Sequence, residues 1–285
     1  MKKQQWILAG GGLVLLIIIL AFGNFIPPKS TNGAPSGPMA MQAAAPALTT
    51  SDVIAAAKAK LNAGRQERIT ALENNVVRGD VKQQQAKTYK QLAAFWTDSM
   101  NYPQLGAYYS GEAAKLENSE ESLTFAARKL LSFVMAEQSR PMQTWMATDA
   151  KELFEAALKI NPANDSAQVG LGGCYMFGNI SDNPMQEILK VREIAEKNPD
   201  NLYAQMMLGL GGIQSGQYEN AVKRFQVVVD RQPDNLEAVL DLADAYDRLQ
   251  DKPNAIKWYK IVAQKIPSAQ ARAEIAKHIS ELENE

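Results

Sequence analysis

Two consecutive segments of the chain, 202–235 and 236–269, place apolar residues at i, i+3, i+4 and i+7. That spacing lines one face of a helix, since 3.6 residues complete a turn. A polar break splits each segment in two, at Gly216 in the first and at Asp251 and Pro253 in the second. Each segment therefore predicts a pair of short helices. Small residues recur at matching places. Leu208, Gly209, Ala221 and Phe225 in the first segment correspond to Leu242, Ala243, Ala255 and Tyr259 in the second, which also carries Tyr246. The glycines and alanines allow close helix approach, and the aromatics Phe225 and Tyr259 are expected to fill the space between units. A proline then closes each segment, because it has no N–H to donate to the preceding turn.

Those prolines are periodic. Pro162, Pro199, Pro233 and Pro267 stand 37, 34 and 34 residues apart. Three of them open related phrases, Pro162-Ala163-Asn164, Pro199-Asp200-Asn201 and Pro233-Asp234-Asn235. A fixed period near 34 residues marks stacked helical repeats, each unable to bury its apolar face alone. A plain helical bundle with coincidental prolines is the competing account. It does not explain why the leucine-small and alanine-aromatic pairs recur at the same interval.

The pattern resembles the tetratricopeptide repeat, W-x2-L-G-x2-Y, then A-x3-F-x2-A, then P. Val239 stands where that family has tryptophan, and Gly212 where it has tyrosine. Upstream, Leu171-Gly172-x2-Tyr175 reads as a first helix followed by an insertion around 181–184. Ala150-x3-Phe154-x2-Ala157 before Pro162 reads as a second helix, and Tyr102-x2-Leu105-Gly106-x2-Tyr109 as a first helix. The resemblance spans residues 100–269, with the best units at 165–201, 202–235 and 236–269. It implies an all-α solenoid of antiparallel helix pairs. Residues 51–99 read as an N-terminal helical segment: one helix from Asp52, capped by Thr50 or Ser51 and stopping at Arg78-Gly79, then a second over about 80–98. Residues 270–285 read as a capping helix behind Ser268, with Ile275, Ile279 and Leu282 in one stripe.

The N-terminus has a different grammar. Residues 6–26 carry no charge, and at 1.5 Å per residue they reach roughly 30 Å, the thickness of a bilayer's hydrocarbon. Lys2 and Lys3 precede the run and Lys29 follows it. The positive-inside rule then predicts residues 1–5 in the cytoplasm and the bulk of the chain outside it. The expectation is a single-pass inner-membrane protein with a periplasmic domain. A signal peptide cleaved after Ala21-x-Gly23 is the rival, although the apolar run exceeds an ordinary signal core. Residues 27–50 are rich in Pro, Ala, Ser and Gly and predict a flexible linker.

Composition narrows the chemistry. The whole chain carries a formal charge of −1; the first 30 residues hold three lysines and no acid, so the remainder carries −4. No basic stripe for nucleic acid follows from this balance. One cysteine, Cys174, allows no internal disulfide, and it sits in an apolar helix as a small hydrophobe. One histidine, His278, allows neither a His-pair metal site nor a Ser-His-Asp triad, and its charged helix predicts an exposed ring. No cofactor, metal site or catalytic residue is expected, and the chain reads as a non-enzyme.

The resemblance also implies where a partner sits. In the family, first helices line a concave groove. Carried across, that groove comprises Val169, Met176 and Phe177, then Tyr203, Met206, Leu210 and Ile213, then Leu240, Asp244, Asp247 and Arg248. The alternative is that neighbouring helices cover these side chains. The Lys and Asn residues that hold acidic chaperone tails in some family members are missing here. The resulting expectation is a membrane-tethered adaptor that binds protein or peptide partners, similar to anchored bacterial family members that assist envelope protein assembly. A self-associating homo-oligomeric module and a hidden enzyme subunit remain the other classes.

Overall fold

The computed structural model describes residues 48–78, 81–180 and 184–284. The anchor expected at 6–26, and the linker at 27–50 apart from its last three residues, lie outside them. Among the described residues every regular element is a helix, and no helix is long and apolar enough to cross a membrane. In order they are α1 (Thr50–Lys58), α2 (Ala63–Arg78), α3 (Lys82–Ala94), α4 (Pro103–Glu117), α5 (Glu120–Ala136), α6 (Arg140–Ile160), α7 (Asp165–Phe177), α8 (Met185–Lys197), α9 (Leu202–Gln214), α10 (Tyr218–Arg231), α11 (Leu236–Arg248), α12 (Lys252–Lys265) and α13 (Ala269–Asn284).

The repeated proline phrase has a structural explanation. Asn164, Asn201 and Asn235 are the N-caps of α7, α9 and α11, and each side-chain oxygen accepts from the backbone N–H three residues on. Each phrase thus ends one helix with proline and satisfies an orphan donor of the next with asparagine. Asp251 caps α12 in the same way.

Helices pack as successive pairs: α3 with α4, α5 with α6, α7 with α8, α9 with α10, and α11 with α12. The first helices also touch one another along the series, α5 to α7 to α9 to α11. This overturns one sequence reading. The Tyr102–Tyr109 stretch opens α4, the second helix of its pair, with Gly106 pressed against Ala93 and Thr97 of the α3 region. The motif signals close packing to a neighbour, and that neighbour precedes it. The first helix of the following pair is α5, which carries no family motif.

Within the pairs, a small residue on the first helix faces a large one on the second. A side chain added at Gly172 would strike Val191, and a Cβ at Gly209 would lie 2.5 Å from Phe225 Cε1. Ala243 occupies the same place opposite Tyr259. Phe225 is fully buried and Tyr259 is 5 % exposed. Phe225 therefore fills space first inside its own pair and not, as expected, only between units, because Gly209 opens room for the ring; its apolar cluster then continues into α11 through Val239 and Leu242.

The expected first helix is two. Thr49 is the cap, its side chain accepting from Asp52 N–H while the Asp52 carboxylate accepts from Thr49, and α1 begins at Thr50. The chain turns at 59–62, where Asn62 Oδ1 accepts from Arg65 N–H, and α2 follows. Lys58 pairs with Glu73 across this turn. Trp145 Nε1 donates to Thr50 Oγ1 at 2.9 Å, tying α1 to the array. At 95–99 the chain after α3 takes a π-helical turn, burying Phe95 and Trp96.

At the other end α13 caps the array. Ile279 and Leu282 are buried against Ala243, Ala255 and Tyr259, with Ile275 packed beside them. The His278 side chain is 41 % exposed, as expected, but it has partners on other helices. Its Nε2 lies 2.7 Å from Asp247 Oδ2, and its ring meets Tyr259 edge-on at 5.1 Å. The i, i+3 relation to Ile275 places it at the edge of the packing stripe.

Candidate functional site

The outward face of the first helices runs from α5 to α11 and differs in character along its length. At the α5 end, Leu123, Ala126, Ala127, Leu130 and Val134 are buried in the core. Phe125 lies about half a turn from that stripe and is 70 % exposed. One turn on, the Arg128 guanidinium lies 4.3 Å from the ring centroid of Tyr203 on α9. Such cation–π contacts contribute about 0.5–2 kcal/mol, more as water is excluded. Burial pushes the Tyr203 hydroxyl up to about 12, with Arg128 opposing the shift.

Beside Phe125 a cavity of about 940 Å³ opens between the N-terminal ends of α5 and α7, lined by Thr124, Arg128, Asn164 and Ser166. Its polar walls are fixed. Asn164 Nδ2 donates to Thr124 Oγ1 at 3.1 Å, and Asn161 Nδ2 to Glu120 Oε1 at 2.9 Å.

Further along, Met206, Leu210 and Ile213 of α9 are half-buried and pack with Leu240 of α11. Val169 is fully buried in the core and presents no surface. Met176 is half-buried but turned elsewhere: a Cβ added at Gly211, on another side of α9, would lie 3.0 Å from its sulfur. Phe177 packs partly buried against the main core.

The α11 end is acidic. Tyr259 Oη donates to Asp244 Oδ1 at 2.5 Å, and Asp247 takes His278. Burial raises the Asp244 carboxyl, and the Tyr259 hydrogen bond opposes it. Asp241 was not among the expected residues. Burial, then the charges of Glu237 and Asp244, push its carboxyl up to about 7, and its Oδ2 has no hydrogen-bond partner. Arg248 is exposed at the same edge.

This arrangement offers contact surface and fixed charge. His278 has Asp247 on one ring nitrogen and Glu281 at 3.8 Å from the other, so neither nitrogen faces a nucleophile. Cys174 is buried, and burial raises its thiol far above the ordinary range, away from thiolate reactivity. Among the described residues no group of side chains can hold a metal ion.

Sequence reasoning missed Phe125 and Arg128 because α5 has no repeat motif. The signal was present as an aromatic residue standing opposite an otherwise regular i, i+3, i+4, i+7 stripe.

A family model described as tetratricopeptide repeat matches residues 206–270. No curated protein matches by sequence. Among solved structures, YrrB, a tetratricopeptide-repeat protein with an unusual peptide-binding site, is similar with 17 % identity, 73 % of this chain and 97 % of that chain covered, and a TM-score of 0.41. MamA from Desulfovibrio magneticus gives 20 % identity, 66 % and 96 % coverage, and a TM-score of 0.41. A tetratricopeptide-repeat protein from Parabacteroides merdae gives 16 % identity, 78 % and 90 % coverage, and 0.38. None of these proteins' properties carries over at such similarity. Leu208-Gly209, Ala221-x3-Phe225, Leu242-Ala243 and Ala255-x3-Tyr259 all lie within residues 206–270, the stretch that the tetratricopeptide-repeat model matches.

Proposed function

We propose that the chain is a membrane-tethered interaction scaffold, which holds a protein or peptide partner along the outward face of its first helices. The observation that carries this reading is the α5–α9 end of the face. There a 70 %-exposed phenylalanine stands beside an arginine–tyrosine stack and an open cavity. Exposed aromatics and arginines next to a pocket are the residue types that dominate binding energy at interfaces. The half-buried Met206, Leu210 and Ile213 extend the surface, and Asp244, Asp247 and Arg248 set its polar end. The uncharged run at 6–26 and the lysines before it support tethering with the repeats outside the cytoplasm, in the periplasm of a bacterial cell.

In-cell photo-crosslinking from position 125 tests the scaffold. Crosslinks to a different protein, lost when Arg128→Ala is added, support it. Crosslinks only between copies of the chain turn the face into a self-association surface. No crosslink at all removes the face from function. A reporter fused after Glu285 tests the tether, and activity in the cytoplasm overturns the proposed topology.

A further inference from the structure

A second surface lies on the far side of α9. Tyr203, Met206, Leu210 and Ile213 mark one face of that helix, whereas Leu208, Gly211, Gly212 and Ser215 fall about half a turn round. These latter residues floor a cleft of about 860 Å³ walled by α8 and α10. Its floor carries little side chain. Gly212 stands at the unit position that carries Tyr246 in the next repeat, and Gly211 adds no side chain beside it.

The lining is apolar below and basic at the rim. Met176, Ile188, Leu208 and Val227 supply the apolar part, and Arg192, Lys223 and Arg224 the charge, with Glu196 as the carboxylate lining it. Three other acids on the neighbouring helices are already committed, whereas Glu219 at the start of α10 forms no ion pair among the described residues. Glu187 pairs with Lys190, Glu193 with Lys197 and Asp200 with Arg231. Among the described residues, Arg192, Lys223 and Arg224 form no ion pair.

One of these cations is held in place by a buried amide. Gln205 is 2 % exposed, and a buried amide is unfavourable unless fully bonded. Its Nε2 donates to the Pro199 carbonyl at 3.1 Å, and its Oε1 accepts from Arg224 Nη1 at 3.0 Å. That bond uses one of five guanidinium donors and leaves the others for a ligand.

We propose that this cleft is a second docking site, separate from the first-helix face, for an acidic segment of a partner protein that carries apolar side chains. Unpaired cations at the rim of an apolar floor match carboxylates flanking leucine-like residues, and such charge complementarity sets specificity and encounter rate. The proposal stands independently of the function assigned to the first-helix face.

Selection of displayed random 12-residue peptides against the full-length chain tests it, followed by fluorescence anisotropy with the enriched peptides. The enriched sequences should combine Asp or Glu with Leu, Ile, Met or Phe. Their affinity should weaken by about tenfold or more in the double variant Arg192→Glu/Lys223→Glu and fall with added salt. Both residues are exposed, so the variant should melt like the parent. Phe125→Ala should leave these affinities unchanged. Enriched peptides without acidic residues, or affinities untouched by the double reversal, overturn the proposal. Loss in Phe125→Ala alone assigns the peptides to the first-helix face and likewise overturns it.

Discussion

Phe225→Ala tests the repeat register at its tightest point. The ring is fully buried, shares a cluster with Val228, Val229 and Leu242, and lies against Gly209, where even a Cβ would come within 2.5 Å. Truncating a buried phenylalanine costs about 3–5 kcal/mol, depending on how far the surroundings relax. Here one wall of the new cavity is helix backbone with no side chain to swing inward. The cost should therefore fall in the upper part of that range, at about 4–5 kcal/mol. For a domain of this size each kcal/mol moves the melting temperature by about 2–4 °C, so the transition should drop by roughly 8–20 °C. Circular dichroism at 222 nm, recorded during heating, is the assay. The reciprocal change Gly209→Ala should also destabilise, and the double variant Gly209→Ala/Phe225→Leu should lose less than the two single changes together. A melting curve unaltered by Phe225→Ala would refute the assignment of Gly209 and Phe225 as facing partners.

Three further outcomes are expected. Asp241 has an ordinary carboxyl value of 3.8 raised to about 7, so the folded chain retains a proton that the unfolded chain releases. Stability should fall as pH rises through that window and level off above about 7; Asp241→Asn should raise the melting temperature at about pH 8 and have little effect below about pH 4. Deleting residues 269–285 uncovers Ala243, Ala255 and Tyr259; light scattering should show aggregation and calorimetry a lower melting temperature, and an equally stable monomer would refute the capping role. The Cys174 thiol should resist a chromogenic disulfide reagent in the native chain and react in guanidinium, since it is buried and held protonated.

The last units were legible because every element there obeys one rule. The period, the asparagine caps and the small-large pairs all point to the same helix boundaries. Reading failed where packing partners, rather than local pattern, decide. The Tyr102–Tyr109 motif requires a close neighbour, but no local feature says whether that neighbour precedes or follows. The break between α1 and α2 rests on Asn62 accepting from Arg65, a turn that polar sequence around it conceals. The exposure of His278 was legible but its partners were not, because Asp247 and Tyr259 lie on other helices. The site was the least legible part. Met176 carries a groove position by count, yet it lines the other cleft.

The facing pairs Gly172–Val191, Gly209–Phe225 and Ala243–Tyr259 bear on how such an array changes over time. Each repeat is a lock whose two halves are cut to one another, and the three locks are cut differently. Gly172 and Gly209 are alike, but exchanging Gly209 with Ala243 alone leaves a collision in one repeat and a hole in the other. Tyr259 adds a further condition, because its hydroxyl needs Asp244 as an acceptor. Averaging the repeats position by position, the usual route to an idealised array, would mix halves from different locks. Exchanging whole helix pairs preserves them. A rearrangement of this array that keeps its packing therefore moves the matched pair of helices together.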